Sequence, residues 1–307
     1  MLKHEKWSLL EPRFLSMTGM TKADFDRLLP FFESAHDTYL SRREMSGKAK
    51  KGARRFVIYK NSPLPTHAER LCFILYYLKH NPIQELQADT FDMEQAQCNE
   101  YIHGLSQILA KALDMAKAMP AMTNEAFQVL ANKLENKELL HDGTEREVPR
   151  PQGEEAQKGL YSGKKKKHTV KNAVIATMLG VILYVSPNYA GPVHDRRMAE
   201  DYTIPPEFAL WQDTGYQGYA PQGVTVVQPT KKPRGGELSE EQRHENRSIS
   251  SVRVRIEHFI GGGKRVRVVE DECRAYKNNF RQSIFVTCTG LYNFRVMSNP
   301  PKYPDNQ

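Results

Sequence analysis

The sequence predicts an all-helical N-terminal region followed by a mixed α/β domain. Three patterns carry this. Apolar residues recur at helical spacing up to about residue 120. Short apolar runs punctuated by Asp-Gly and Asp-Thr-Gly turns follow from Glu138 onward. A long, charged helical stretch then closes the run of strands. A chain of 307 residues has room for one domain of ~170 residues and a smaller one before it. The reading divides it into 1–120 and 121–307.

Taken in order, Thr21 is placed to cap a helix within residues 17–33, with Phe25, Leu28, Leu29 and Phe32 on one face. From Arg42 to Arg55 come Arg42, Arg43, Lys48, Lys50, Lys51, Arg54 and Arg55 against one acid, Glu44. This segment, 42–55, reads either as a solvated linker or as an arm that neutralises DNA phosphates. Thr66-His67-Ala68-Glu69 has the form of a capping box, and Leu71, Ile74, Leu75 and Leu78 extend the helix to about Lys79. Asn81-Pro82 ends it, a short piece (83–91) follows, and Asp92 with Gln95 can cap a long helix bearing Ile102, Leu105, Leu109 and Leu113. Helix, short helix, long helix over about 64–113 is the helix-turn-helix layout, with an ordinary helical bundle as its alternative. Gln95, Gln97 and Asn99 are amides able to read base edges, whereas Glu94 and Glu100 beside them would repel phosphate.

Thr123 to Leu134 reads as a connecting helix. Strands are expected at 138–141, leading into Asp142, then at 168–178, 180–185, 208–211 and 224–228, before a helix over about 239–260. Asp142 and Asp213 are each expected at the end of a short apolar strand, followed closely by Gly143 and Gly215. On the helix, Arg253, Glu257 and Lys264 fall within about 40° of one another at ~100° per residue. The Gly261-Gly262-Gly263 run threatens Lys264, because three helix glycines cost roughly 3 kcal/mol relative to alanine. Two carboxylates ~4 Å apart repel by about 4 kcal/mol at an effective dielectric of 20, so an acid cluster either protonates or binds cations. Oxygen donors select Mg²⁺ or Mn²⁺, the ions of in-line phosphodiester displacement.

Composition sets bounds on partners. Hydrophobic residues make up 39% and charged ones 26%, which suits a folded globular chain. A net charge of +8 favours a polyanionic partner, either nucleic acid or an anionic membrane surface. Met1 to Phe14 contains no unbroken apolar signal segment, and the longest apolar stretch, 173–185, is short of the ~20 residues that cross a bilayer. The expected location is the cytoplasm, in association with the nucleoid. Cys72, Cys98, Cys273 and Cys288 lack metal-site spacing.

The run Asp142-Gly143-Thr144-Glu145, Arg150-Pro151 and Tyr161-Ser162-Gly163-Lys164-Lys165-Lys166-Lys167-His168 resembles the opening of the catalytic domain in DDE transposases of bacterial insertion sequences. The group is insertion sequence family five and its distantly Harbinger-like relatives. Trp211-Gln212-Asp213-Thr214-Gly215-Tyr216-Gln217-Gly218 resembles that family's second-aspartate motif. Arg253 to Glu257, with Lys264, resembles its third, although Ser250 stands where relatives carry tyrosine.

The resemblance implies a ribonuclease H-like core preceded by the helix-turn-helix domain, with Asp142 on the first strand, Asp213 after the fourth and Glu257 on a later helix. It implies that these three are the catalytic metal ligands, with Mg²⁺ or Mn²⁺ as cofactor. Arg253, Lys264 and the turn Lys164, Lys165, Lys166 and Lys167 become DNA contacts, alongside Arg54 and Arg55 of the arm. Double-stranded DNA, both terminal inverted repeats and target, is the implied partner, engaged by a homo-oligomer. Asp195, in Gly191-Pro192-Val193-His194-Asp195, rivals Asp213 as second acid but also suits the N-cap of a short helix over 196–201. A transposase-derived DNA-binding protein without catalysis, or a nuclease that cuts without joining, stands as the alternative function.

Overall fold

The computed structural model describes residues 3–52, 56–59, 61–272, 274 and 279–303. Arg54 and Arg55 therefore lie outside the described residues. The chain divides into two compact units. The first comprises Met1–Met119 with Lys264–Asp271 and Ser283–Arg295, and the second comprises Pro120–Gly263, Glu272–Gln282 and Val296–Gln307. Among the described residues, no helix is long and apolar enough to cross a membrane.

Unit 1 opens with helices α1 (Lys3–Ser8), α2 (Glu11–Thr18), α3 (Lys22–Arg42), α4 (His67–His80), α5 (Gln84–Thr90) and α6 (Gln95–Met115). Thr21 caps α3 by accepting from the Asp24 amide, and Thr66 caps α4 by accepting from that of Glu69. Helix α3 runs beyond the expected end, through Pro30 to Arg42. Its continuation is not the open arm that composition suggests. The amide of Lys50 donates to the Arg42 carbonyl, Glu44 to that of Lys48, and the Lys50 ammonium reaches the Leu40 carbonyl at 2.6 Å, satisfying an orphan group at the helix end. Asp92 does not cap α6. It stands in the left-handed region at φ 55°, and Glu94 takes the cap position without a side-chain bond. Ile102, Leu105, Leu109 and Leu113 are all buried, as their spacing predicts. At Gly104 of α6 a β-carbon would lie 2.4 Å from the Met45 sulfur and 2.5 Å from the Met45 carbonyl oxygen, so the hairpin after α3 rests directly on helix backbone.

Unit 2 begins with α7 (Asn124–Ala131), capped by Thr123, and β1 (Glu138–Glu147). There follow α8 (Glu154–Leu160), β2 (Tyr161–Ser162), β3 (Lys167–Thr177), β4 (Ile182–Val185), β5 (Tyr189–Ala190), α9 (Asp195–Ala199), β6 (Ala209–Trp211), a 3-10 turn (Thr214–Tyr216), β7 (Thr225–Val227) and α10 (Glu240–Lys264). Helices α11 (Arg267–Glu270) and α12 (Phe280–Val296) complete the chain.

The sheet is mixed. Strand β3 pairs antiparallel with β1 and with β4, while β6 and β7 continue from the other edge of β1 in parallel. Setting aside the two-residue strands β2 and β5, the order β4-β3-β1-β6-β7 is compatible with a ribonuclease H-like core. Leu139, Ile175, Leu183, Leu210, Phe208, Tyr202 and Phe127 belong to one buried cluster in this unit.

Two expectations change here. Asp142 lies inside a ten-residue strand rather than at the end of a short one. The polar second half of β1 belongs to the sheet because its ladder with β3 continues to Glu147 and Thr169, and Arg146 donates to the Asn172 and Asn188 side-chain oxygens at 2.8 Å each. Helix α10 also continues through the three glycines to Lys264. Ile249, Val252, Ile256, Phe259 and Ile260 are buried along it, and that burial outweighs the low propensity of the glycines.

Candidate acid site

Register places the two aspartates. Leu140 of β1 pairs with Trp211 of β6, and two residues farther along each parallel strand direction come Asp142 and Asp213. Asp213 leaves the strand in extended conformation and caps the 3-10 turn, its carboxylate accepting from the Thr214 amide at 2.7 Å. Asp142 accepts from the Gly143 amide at 2.8 Å.

Burial pushes the Asp142 carboxyl up to about 6; the charges of Asp213 and Glu257 add to this, while the Gly143 hydrogen bond and Arg253 oppose it. Asp142, Asp213, Glu257 and Arg253 thus share one electrostatic neighbourhood. Glu257 is exposed on α10. Arg253, one turn earlier on that helix, is buried, and its guanidinium stands 3.4 Å from the Asp213 carboxylate. Its Nε has no hydrogen-bond partner.

The other sequence-predicted residues are more scattered. Lys164, Lys165 and Lys166 form the exposed turn between β2 and β3. Lys167, the first residue of β3, pairs with Glu147 at 2.6 Å, which leaves it less available than its neighbours. Lys264 ends α10 and is grouped with unit 1. On α6, Gln95 and Gln97 are exposed and Asn99 is half-buried; Gln95 donates to Gln84, tying α6 to α5.

Asp195 does not cap α9. His194 holds that position, its ring accepting from the Arg196 amide, and Asp195 is the first helical residue, 3.3 Å from Lys171. Sequence reasoning also passed over Tyr216, whose ring is buried and whose hydroxyl has no hydrogen-bond partner. The signal was present in the second-aspartate run, but nothing in spacing alone tells a core tyrosine from a site tyrosine.

Among the described residues, the one grouping of three ligand-type atoms within 4.8 Å of one another lies not at these acids but in unit 1, at His36, Asp37 and His67. The Arg70 guanidinium, which can only donate, stands 2.6 Å from His36 Nε2, so the ring proton sits on Nδ1 and points to Asp37 at 3.0 Å. That is a satisfied hydrogen-bond relay, and a cation there would have to displace the proton.

Comparison with known proteins bears mainly on the second unit. Residues 141–293 match the family described as DDE superfamily endonuclease. A protein from Microchaete diplosiphon, described as a probable transposase for insertion sequence element IS702, is 26% identical over 164 residues, covering 52% of this chain and 57% of that protein. The chain thus spans little more than half the length of this curated relative. No solved structure matches the chain significantly. With Asp142 on β1 and Asp213 just beyond the neighbouring β6, both inside the matched segment, the chain carries a DDE superfamily endonuclease domain over residues 141–293.

Proposed function

We propose that this protein is an insertion-sequence transposase that cuts double-stranded DNA at the ends of a mobile element and joins those ends to target DNA. Asp142, Asp213 and Glu257 serve as its metal-holding acids. The observation that carries the reading is the register that brings Asp142 and Asp213 to the same end of neighbouring strands, with α10 bringing Arg253 against Asp213 and the charge of Glu257 acting on Asp142. The residues fit a hard divalent cation: three carboxylates with one cationic partner offer oxygen donors and an excess of negative charge. A bound Mg²⁺ or Mn²⁺ supplies activation of the attacking water or 3′-hydroxyl and stabilisation of the leaving oxygen.

The chain's own groups divide the remaining work. Asp142 stands on β1 and Asp213 directly after the neighbouring β6, so little reorganisation is needed when charge develops. The unpartnered Arg253 Nε is a donor that a phosphate oxygen would satisfy. The turn Lys164 to Lys166, and Lys264 at the end of α10, supply cations for DNA backbone. In the N-terminal region, α4, α5 and α6 act as the helix-turn-helix, with Gln95, Gln97 and Asn99 toward base edges and the segment 42–55 toward phosphates. Two copies acting together at paired ends, on the nucleoid, complete the reading.

The test uses DNA carrying the sequences that flank the gene, with Mg²⁺ or Mn²⁺. Wild-type protein should yield joined strands, and Asp142→Asn, Asp213→Asn and Glu257→Gln should each abolish cleavage while DNA binding persists. Nicked ends without joining would instead indicate a nuclease, and undiminished cutting by all three variants would refute the site.

A further inference from the structure

Asp195 has no part in the reading above, yet it lies closer to the acid site than its position in the sequence suggests. Because His194 caps α9, the Asp195 carboxylate is not committed to the helix end. Its Oδ1 is held at 3.3 Å by the Lys171 ammonium, which also donates to the Val193 carbonyl at 3.0 Å. Two glycines flank the carboxylate. A β-carbon on Gly143 would lie 3.5 Å from Oδ1, and one on Gly215 would lie 3.1 Å from Oδ2. Gly143 follows Asp142 directly and Gly215 stands two residues after Asp213, so Asp195 rests against the backbone of both acid-bearing segments.

A second observation is independent of the acids. The Tyr216 side chain is 1% exposed, its hydroxyl has no hydrogen-bond partner, and it points to the same place, 3.3 Å from the Gly143 β-carbon position. Burial keeps this hydroxyl protonated, its pKa raised well above the ordinary value, and the charges of Asp142, Asp195 and Asp213 all act in the same direction. A buried hydroxyl that feels the charge of three carboxylates, and is bonded to none of them, is a donor left unsatisfied beside the acids.

We propose that Asp195 is a fourth carboxylate of the Asp142–Asp213 centre, oriented by Lys171 so that Oδ2 faces the Asp213 turn as a cation ligand. The inference rests on the metal-holding role given above to Asp142. Lys171 occupies one carboxylate oxygen, and Oδ2 has no hydrogen-bond partner among the described residues. Gly215 is then a glycine for a reason of space, since a methyl there would crowd the Asp195 carboxylate, while one at Gly143 would press on the Tyr216 hydroxyl.

The experiment is titration of Mn²⁺ into the full chain without DNA, followed by the electron paramagnetic resonance of free Mn²⁺ and by calorimetry. Circular dichroism checks the fold of each variant. Asp195→Asn should weaken uptake by at least about tenfold. Gly215→Ala, which alters no ligand but would press on Oδ2, should do the same. Asp201→Asn, which removes an acid bonded to Tyr189 instead, should titrate as wild type. If Asp142→Asn weakens uptake while Asp195→Asn and Gly215→Ala do not, the fourth-ligand inference is overturned and the acid site stands. If Asp142→Asn takes up Mn²⁺ like wild type, or wild type takes up none at millimolar concentration, the underlying reading falls and the inference falls with it.

Discussion

Arg253 pairs with Asp213, on another element, and not with Glu257 one turn along its own helix. A surface i, i+4 pair would contribute only ~0.3 to 0.5 kcal/mol to the helix. A buried guanidinium against a site aspartate has a different consequence: it ties α10 to the β6 turn and leaves Nε with an unused donor. Arg253→Lys keeps the charge but loses the planar fork, so single-turnover cleavage should fall while some activity remains. Arg253→Ala should lose roughly 10² to 10³ in rate. Near wild-type rates in both variants would return Arg253 to a packing role.

Cation binding should be visible without DNA as thermal stabilisation. At a concentration 100 times its dissociation constant, a ligand of the folded state adds about 2.7 kcal/mol. For a chain of this size that amounts to a rise of several degrees in Tm. Mg²⁺ or Mn²⁺ should raise the Tm of wild type and leave Asp142→Asn almost unmoved, as followed by differential scanning calorimetry. Equal shifts in both proteins would place the stabilising cation elsewhere.

The segment after α3 makes a graded prediction about salt. Lys48 and Lys51 are exposed, whereas the Lys50 ammonium is bonded to the Leu40 carbonyl. If the exposed pair contacts phosphate, Lys48→Ala with Lys51→Ala in the full chain should reduce the slope of log affinity against log salt by about 1.8, at roughly 0.9 per phosphate. Lys50→Ala should cost stability more than it changes the slope. A slope that stays constant in the double variant would leave those lysines as a solvated surface.

His36 supplies a pH dependence. Burial, together with the Arg70 charge, holds it down at about 4 from the ordinary 6.5 despite the pull of Asp37. The unfolded chain therefore takes up this proton at higher pH than the folded one, and stability from neutral His36 is complete above pH 6.5 and lost as pH falls toward 4. The loss approaches about 3 kcal/mol, at 1.36 kcal/mol per pKa unit. In urea denaturation, the advantage of wild type over His36→Gln should shrink by that order between pH 7 and 4. Parallel pH profiles would show that His36 is not the titrating group.

Much of this architecture is legible in the residues because it is local. Thr21 and Thr66 announce helix starts and each accepts the expected amide, while Thr123, expected only to open a connecting helix, caps it as well. The strands ending near Asp213 and beginning near Lys167 follow from apolar runs and turn residues. What stayed hidden depends on partners distant in sequence. The second half of β1 carries Thr144, Glu145 and Arg146, which look like loop until Asn172 and Asn188 pair with Arg146. No periodicity reveals that Ser283–Arg295 groups with the N-terminal helices, since an apolar stripe does not name the core it joins. In the sequence Asp195 suits a helix cap as well as a second acid, because an acid before a helix is usually a cap, and only the structure gives that position to His194.

The contact between Gly104 and Met45 has a consequence for how this region can be altered. The hairpin after α3 follows its path because a single methyl group is missing from α6, so positions 45 and 104 cannot drift independently. A change at one narrows what the other can accept. Anyone transplanting the hairpin to a different helical scaffold would have to carry its landing site too, since a recipient helix with side chains all along that face would lift Met45 and redirect the lysines that follow.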